Sequence, residues 1–301
     1  MSLEFELYEE KRRKMRRFSF FKGILVTLII TGVTAAIWNR DLISYPHIAT
    51  YNVVGEIYDD PSRDSILREI AEDDNAYGLL LKINSPGGTV VGAEALYESL
   101  KNISDKKPVV VTIGEVGASA AYLVALAGDK IFARGNSLIG SIGVIVQYPD
   151  LSKLAEVLGI SMQVVKSGEA KGGTNFFEPM NENIIKNQEV LVNDSFVWFK
   201  ELVSQRRKLN GLELDKISKG QLFTGRMAVE LGLIDAIGSS DQAIEYFQSQ
   251  GPEFKGVGLV DWTLKKETPS FWSKFLSLGH TTSIANKLKF IQSPRLFSIA
   301  S

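Results

Sequence analysis

The stretch VGASAAYLVALAGDKIFA at Val116–Ala133 places a serine where a strand meets a helix. The preceding PVVVTI at 108–113 is a short apolar run typical of a buried strand, and AAYLVALAG is typical of a helix. Small residues lie on both sides of Ser119. A turn of this kind can lift a nucleophile into a cleft, and the start of a helix favours developing negative charge. Ser119 is therefore a candidate nucleophile, with a packed turn serine as the alternative.

Strands and helices alternate on both sides of this stretch. GLLLKI at 78–83 is nearly continuously apolar, as a strand covered on both faces would be. Apolar residues of 181–209 recur near the helical period of 3.6. This alternation predicts an α/β core. The predicted strands are 50–58, 78–83, 108–113 and 161–166, with short strands at 129–134 and 142–147, and the predicted helices include 151–158, 181–209 and 241–250.

The composition excludes several kinds of site. The 301 residues carry a net charge of −1, which gives no electrostatic case for a nucleic-acid partner. The chain has no cysteine, so cysteine nucleophiles and thiolate metal sites are excluded. No group of histidines or carboxylates has metal-ligand spacing. We therefore predict neither a metal nor a cofactor.

The N-terminal region has the pattern of a membrane anchor. A lysine- and arginine-rich segment at 1–17 precedes an apolar stretch at 18–38, about as long as a bilayer core requires. The positive-inside rule then places the N-terminus in the cytoplasm and the rest of the chain outside. A cleaved signal peptide is the alternative, but no convincing cleavage site follows the apolar stretch.

The candidate nucleophile needs a base, and NSPGG at 84–88 offers backbone donors. Glycines at the end of the neighbouring strand let N–H groups approach a ligand, as an oxyanion hole requires. His47 and His280 fall in the predicted linker and tail, so a lysine or a carboxylate remains as the base, and a lysine can act only if burial lowers its pKa. Lys171, among small and aromatic residues, is favoured over Lys166, and composition alone leaves both open.

Together these motifs resemble bacterial signal peptide peptidase A in its short, single-repeat form. The resemblance covers roughly residues 48–240, and Ala120 departs from it because the family more often has glycine after the nucleophile. The motifs are the anchor at 23–38, NSPGG at 84–88, GASAAY at 117–122, DKIFA at 129–133, GSIGVI at 140–145, VKSGEAK at 165–171 and LFTGRMAVELGLID at 222–235.

The resemblance implies a role for four residues. Ser119 falls on the family's nucleophile and Lys171 on its general base, whereas Lys166 does not. Ser141 falls on the serine that orients the lysine, and Gly88 is the expected backbone donor of the oxyanion hole. The implied fold is that of Clp protease and the crotonases, built of spiralled ββα units and here preceded by one transmembrane helix.

The resemblance also implies an environment and a substrate. The expected protein is a single-pass enzyme of the bacterial inner (cytoplasmic) membrane, with its catalytic domain periplasmic or otherwise extracytoplasmic. It would cut apolar remnant signal peptides and form a homo-oligomeric ring whose dyad is shared by adjacent protomers. The alternatives are a crotonase-like acyl-CoA enzyme, a non-catalytic membrane scaffold, and a related membrane protease that cuts proteins.

The predicted organisation has five parts. A cytoplasmic basic segment at 1–17 leads into the transmembrane anchor at 18–38, and a linker at 39–47 follows. The peptidase domain spans 48–250. An aromatic C-terminal extension at 251–301 could lie at a membrane interface, pack on a neighbouring subunit or dock loosely on the domain.

Overall fold

The computed structural model describes residues 12, 15, 20–30, 32, 45–263 and 297–299. The chain divides into two compact units, Met1–Tyr45 and Pro46–Ser301. In the first unit, residues 20–30 are helical (α1). Within the described residues, no helix has both the length and the apolar composition that crossing a membrane requires. Much of the predicted anchor at 18–38 lies outside those residues.

The second unit is built on a mixed sheet of eight strands. The strands run in the order β7-β6-β4-β2-β1-β9, with β5 joining β4 to β8. Its pairings are parallel except for β6 with β7. The strands are β1 (His47–Val54), β2 (Ala76–Ser85), β4 (Val109–Ala118), β5 (Lys130–Ala133), β6 (Leu138–Gly140), β7 (Leu222–Thr224), β8 (Ala236–Ile237) and β9 (Gly258–Asp261).

Helices connect these strands, and a short pair of strands stands apart from the main sheet. β3 (Gly87–Thr89) pairs antiparallel with β10 (Phe297–Ile299) in this second sheet. A 3₁₀ turn lies at Pro252–Phe254. The helices are α2 (Pro61–Glu72), α3 (Val90–Ser104), α4 (Ala120–Ala125), α5 (Ser152–Val157), α6 (Glu182–Arg207), α7 (Gly211–Ile217), α8 (Gly225–Glu230) and α9 (Ser240–Gln250).

Strand β2 is covered by a hydrophobic core on each face, which explains its nearly continuous apolar sequence. Leu79, Leu81 and Ile83 point into the larger core, which also holds apolar residues of α2, α3 and α4. Leu80 points the other way, into a second core under α9 with Phe247. Because both faces are covered, alternation of apolar and polar residues is not needed. The α/β prediction is confirmed, and most predicted strands and helices are found near their expected positions.

Two of the strands predicted from the sequence are not found. The segment 161–166, predicted as a strand, is irregular and largely exposed, with Val165 fully open to solvent. The run at 142–147 is not a strand either. Ile145 forms a single β-bridge, but neither segment belongs to a strand among the described residues, because β-branched composition alone does not supply a pairing neighbour.

The boundaries of the folded unit also differ from the sequence prediction. His47, expected in the linker, is the first residue of β1 and is buried. The indole N–H of Trp262 donates to His47 Nε2 at 3.1 Å, and the two rings are stacked. Because β9 pairs with β1, the sheet continues past residue 250, where the sequence placed the start of a separate extension.

Candidate active site

Ser119 has an unusual backbone at the junction of β4 and α4. It is the N-cap of α4, with φ 58° and ψ −122°. Three described residues other than glycine have positive φ, and two of them are Ser119 and Ser141. Such a conformation costs free energy in an L-residue and persists only where the surroundings enforce it. Strained backbone therefore coincides with two of the four residues singled out from sequence.

Neighbouring strands enforce this conformation. The N–H of Ser119 donates to the carbonyl of Gly140 at 2.8 Å, and the N–H of Ser141 donates to the carbonyl of Gln221 at 2.8 Å. Gly140 itself has φ 104°, and a Cβ there would lie 2.9 Å from the Phe223 ring. The end of β6 thus holds both serines in place, and both are buried.

The NSPGG loop lies on the other side of the turn at Ser119. Ser85, the last residue of β2, pairs with Gly117, two residues before Ser119. The following strand β3 carries Gly88 and packs against α4. Asn84 supports the turn, since its side-chain oxygen accepts from the N–H groups of Glu115 and Val116 at 3.1 Å each. The structure therefore brings Ser119, Ser141 and Gly88 to one place.

Helix α4 is anchored at both its side and its end. The Tyr122 hydroxyl donates to the carbonyl of Leu233 at 2.8 Å, and burial raises the pKa of Tyr122. The Arg206 guanidinium donates to the carbonyls of Leu126 at 2.6 Å and Gly128 at 3.0 Å, just beyond the end of the helix. A cation at that end also complements the helix dipole. Sequence reasoning missed Asn84, Tyr122 and Arg206, because each acts across a long sequence separation.

Both candidate lysines lie on the irregular segment between α5 and α6. Lys166 forms an ion pair with Glu178 at 3.0 Å, and the hydrogen bond from Lys166 lowers the pKa of Glu178. The Lys171 side chain is exposed. The single chain thus does not bring Lys171 into the buried group around Ser119.

Two cavities differ in how close their lining residues are to the predicted site residues. A cavity of about 360 Å³ is lined by residues that directly follow Ser141 in sequence and by residues of α6. Its lining includes the apolar Ile142, Val144, Val192 and Phe196 and the charged Glu189 and Lys219. A larger cavity of about 740 Å³ lies at the carboxyl ends of β1, β2 and β4, and its lining includes none of the four predicted site residues. We assign the site by the strained turn rather than by cavity size.

Comparison with known proteins identifies the family. The model of peptidase family S49 matches residues 101–251, and that of Clp protease matches residues 47–139. The chain belongs to peptidase family S49. It is a serine peptidase, with a mixed α/β sheet and a Clp-protease-like domain.

Individual relatives of this S49 peptidase come from several bacteria. A Synechocystis sp. protein, provisionally named a protease, is 33% identical over 70% of this chain and 76% of that protein. An Enterococcus faecium protein, provisionally named signal peptide peptidase SppA, is 27% identical over 91% and 76%. Protease 4 of Haemophilus influenzae is 30% identical over 72% of this chain, which covers 37% of its length. A solved membrane-bound stomatin-specific protease gives a TM-score of 0.46 at 17% identity, covering 73% of this chain and 98% of that one.

Proposed function

We propose that this chain is a membrane-anchored serine endopeptidase that degrades signal peptides after their release from preproteins. Its catalytic pair is Ser119 and Lys171, in a homo-oligomeric ring on the outer side of the bacterial inner membrane. The observation that carries the proposal is the strained, buried turn at Ser119, at the start of the helix α4 against which the Gly88 strand β3 packs. Such a turn presents a hydroxyl at the start of a helix, where negative charge is stabilised.

The proposed chemistry proceeds through an acyl-enzyme. Neutral Lys171 accepts the proton of the Ser119 hydroxyl as Oγ attacks the peptide carbonyl carbon. The N–H of Gly88 donates to the resulting oxyanion, and Ser141 orients the lysine. The C–N bond breaks as the lysine returns its proton to the leaving amine. Lys171 then activates the water that hydrolyses the ester.

The exposure of Lys171 supports a dyad shared between copies of the chain. A lysine acts as a general base when burial makes its neutral form accessible near neutral pH. The single chain leaves Lys171 exposed, so another copy would have to provide that burial. This segment and the last residue of α5 expose apolar side chains, which is typical of a surface that is covered in an assembly. They are Val157, Leu158, Ile160, Met162, Val164 and Val165.

The cavity next to Ser141 supports apolar substrates. Its lining by Val192 of α6 and by residues 142–145 would accept aliphatic or aromatic side chains of an extended peptide. Signal peptides are apolar and, once cleaved, are free to extend. A peptide of this composition would place its side chains in the cavity while its backbone pairs with the strand that carries Gly88.

Hydrolysis of an apolar leader peptide of about 20 residues in detergent micelles tests the proposal. We expect Ser119→Ala and Lys171→Met each to lower kcat by on the order of 10⁴-fold, the scale found when one member of a catalytic unit is lost. Lys166→Met is the matched control and should keep activity within about threefold, the scatter expected of a residue outside the catalytic unit. Activity retained by Lys171→Met would overturn the dyad. Equally rapid cleavage of a folded protein would overturn the substrate class.

A further inference from the structure

The cavity of about 740 Å³ has a polar floor on the face of the sheet that α9 covers further along. Asn52 of β1 lies opposite Lys82 of β2, and Lys82 lies opposite Thr112 of β4. Because side chains alternate between the two faces of a strand, these residues share a face with Leu80 and Val110, which belong to the core under α9. Along this face the apolar core is therefore followed by a row of polar side chains.

Two cations at this cavity have no anionic partner. Lys82 and Arg134 both line the cavity, and neither forms an ion pair with any residue that the structure describes. Against these two positive charges, Glu115 supplies the carboxylate of the described lining. The lining therefore complements a ligand with a single negative charge.

Thr112 adds a buried donor that no described residue satisfies. Its side chain is 7% exposed and lines the cavity, and its hydroxyl makes no hydrogen bond within the described part of the chain. The side-chain oxygen of Asn84 accepts from the N–H groups of Glu115 and Val116, which leaves its amide N–H₂ group as a further donor. A buried polar group without a partner destabilises a protein unless a ligand or water satisfies it. These donors fit the oxygen atoms of a ligand.

Exposed apolar side chains border the same cavity. Val54 and Leu138 line it and are 72% and 42% exposed. Sites for small molecules combine apolar contacts with a few polar groups that fix the orientation of the ligand, and a cavity of this volume accommodates an organic molecule. The lining therefore fits a ligand that has an anionic end and an apolar body better than it fits an inorganic ion.

We propose that this cavity binds an organic monoanion, a carboxylate attached to an apolar chain. Lys82 and Arg134 bind the carboxylate oxygens, the Thr112 hydroxyl donates a further hydrogen bond, and Val54 and Leu138 contact the apolar chain. The C-terminal end of an apolar peptide and a fatty acid share this chemistry. The cavity is lined by none of the residues proposed for catalysis, so this inference stands whether or not the catalytic pair is correct.

Isothermal titration calorimetry of the full-length chain in detergent micelles tests the proposal. The probes are acetylated dileucine with a free carboxylate, the same dipeptide as its C-terminal amide, and octanoate. We expect the free acid to bind and the amide to bind about tenfold more weakly, the scale of a hydrogen bond between charged groups. Lys82→Met and Arg134→Met should each weaken binding of the acid about tenfold for the same reason. Lys153→Met removes an exposed lysine outside the cavity and is the matched control, with unchanged affinity.

Thr112→Val gives a second test that does not change the charge of the chain. It keeps the shape of the side chain and removes a buried hydroxyl that no described residue satisfies, so the variant should fold at least as stably as the wild type. We expect it to bind the acid several-fold more weakly. Tighter binding of the dipeptide than of octanoate would identify a peptide end as the ligand, and the reverse order would identify a fatty acid.

Three results would overturn the proposal. The first is equal affinity for the acid and the amide. The second is an affinity for the acid that Lys82→Met, Arg134→Met and Thr112→Val all leave unchanged. The third is an affinity that falls in Lys171→Met but not in Lys82→Met, because the carboxylate would then bind at the proposed catalytic site.

Discussion

Substituting Gly88 by alanine tests whether the backbone of β3 takes part in catalysis. A Cβ at this position would lie 2.0 Å from the carbonyl oxygen of Ile57 and 2.5 Å from its nitrogen. A carbon and an oxygen in contact are separated by roughly 3.3 Å, so β3 must move away from Ile57 by about 1 Å. Overpacking of this kind costs about 1–3 kcal/mol of stability, which a core of this size can absorb.

The effect of Gly88→Ala on rate should be larger than its effect on stability. The substitution keeps the N–H donor but moves it, and a misplacement of about 1 Å lowers the rate by on the order of 10²-fold. The assay is kcat/KM for the apolar leader peptide, with urea unfolding measured on the same samples. Gly114→Ala is the matched control, because its Cβ would meet Asn84 at an ordinary 3.5 Å.

The result that would refute this reasoning is a folded Gly88→Ala enzyme with nearly wild-type activity. It would mean that the β3 backbone does not contact the reacting carbonyl. A loss of rate shared equally by Gly114→Ala would also contradict the account, since Gly114 has room for a methyl group and lies in β4 rather than in β3.

Three further outcomes follow from the contacts around the site. Val192→Asn should lower kcat/KM about tenfold for peptides with large apolar side chains, because it removes part of the apolar lining of the cavity next to Ser141. The exposed Val190→Asn should leave kcat/KM unchanged. Equal kcat/KM values in the two variants would exclude this cavity as a subsite. The hydrogen bond from Lys166 lowers the pKa of Glu178 below 4.5, so this interaction stabilises the fold above that pH and is lost as the pH falls through the lowered pKa. In an NMR titration, Lys166→Met should raise the titration midpoint of Glu178. An unchanged Glu178 midpoint would contradict the assignment. Arg206→Lys keeps the positive charge but loses the guanidinium hydrogen bonds to the carbonyls of Leu126 and Gly128, so the free energy of unfolding in urea should fall by about 1–3 kcal/mol. An unchanged urea midpoint would show that these hydrogen bonds do not stabilise the fold.

Local pattern was enough to predict the sheet and the strand-to-helix turn at Ser119. The apolar run at 78–83 has a composition that only a strand covered on both faces needs, and small residues around Ser119 mark a crowded turn. These signals lie within a few residues of the feature they predict. The positive φ of Ser119 and Ser141 is consistent with them, although it depends on contacts with β6 and Gln221 that lie far away in sequence.

Features that depend on distant partners could not be predicted in the same way. His47 is buried because Trp262 stacks on it across more than two hundred residues, and nothing near either residue indicates that pairing. The segment 161–166 has strand-like composition, but a strand needs a neighbour, and none pairs with this segment in the part of the chain that the structure describes. The pairing of β10 with β3 likewise has no local signal.

The measurement that tests the central claim most directly is complementation between two inactive chains. Ser119→Ala and Lys171→Met are co-expressed in equal amounts, and the mixed assemblies are assayed on the apolar leader peptide. If each site takes its serine from one copy and its lysine from the next, about one quarter of the sites in a random ring regain both groups. The account predicts about a quarter of the wild-type activity. Mixed assemblies as inactive as either parent would contradict it.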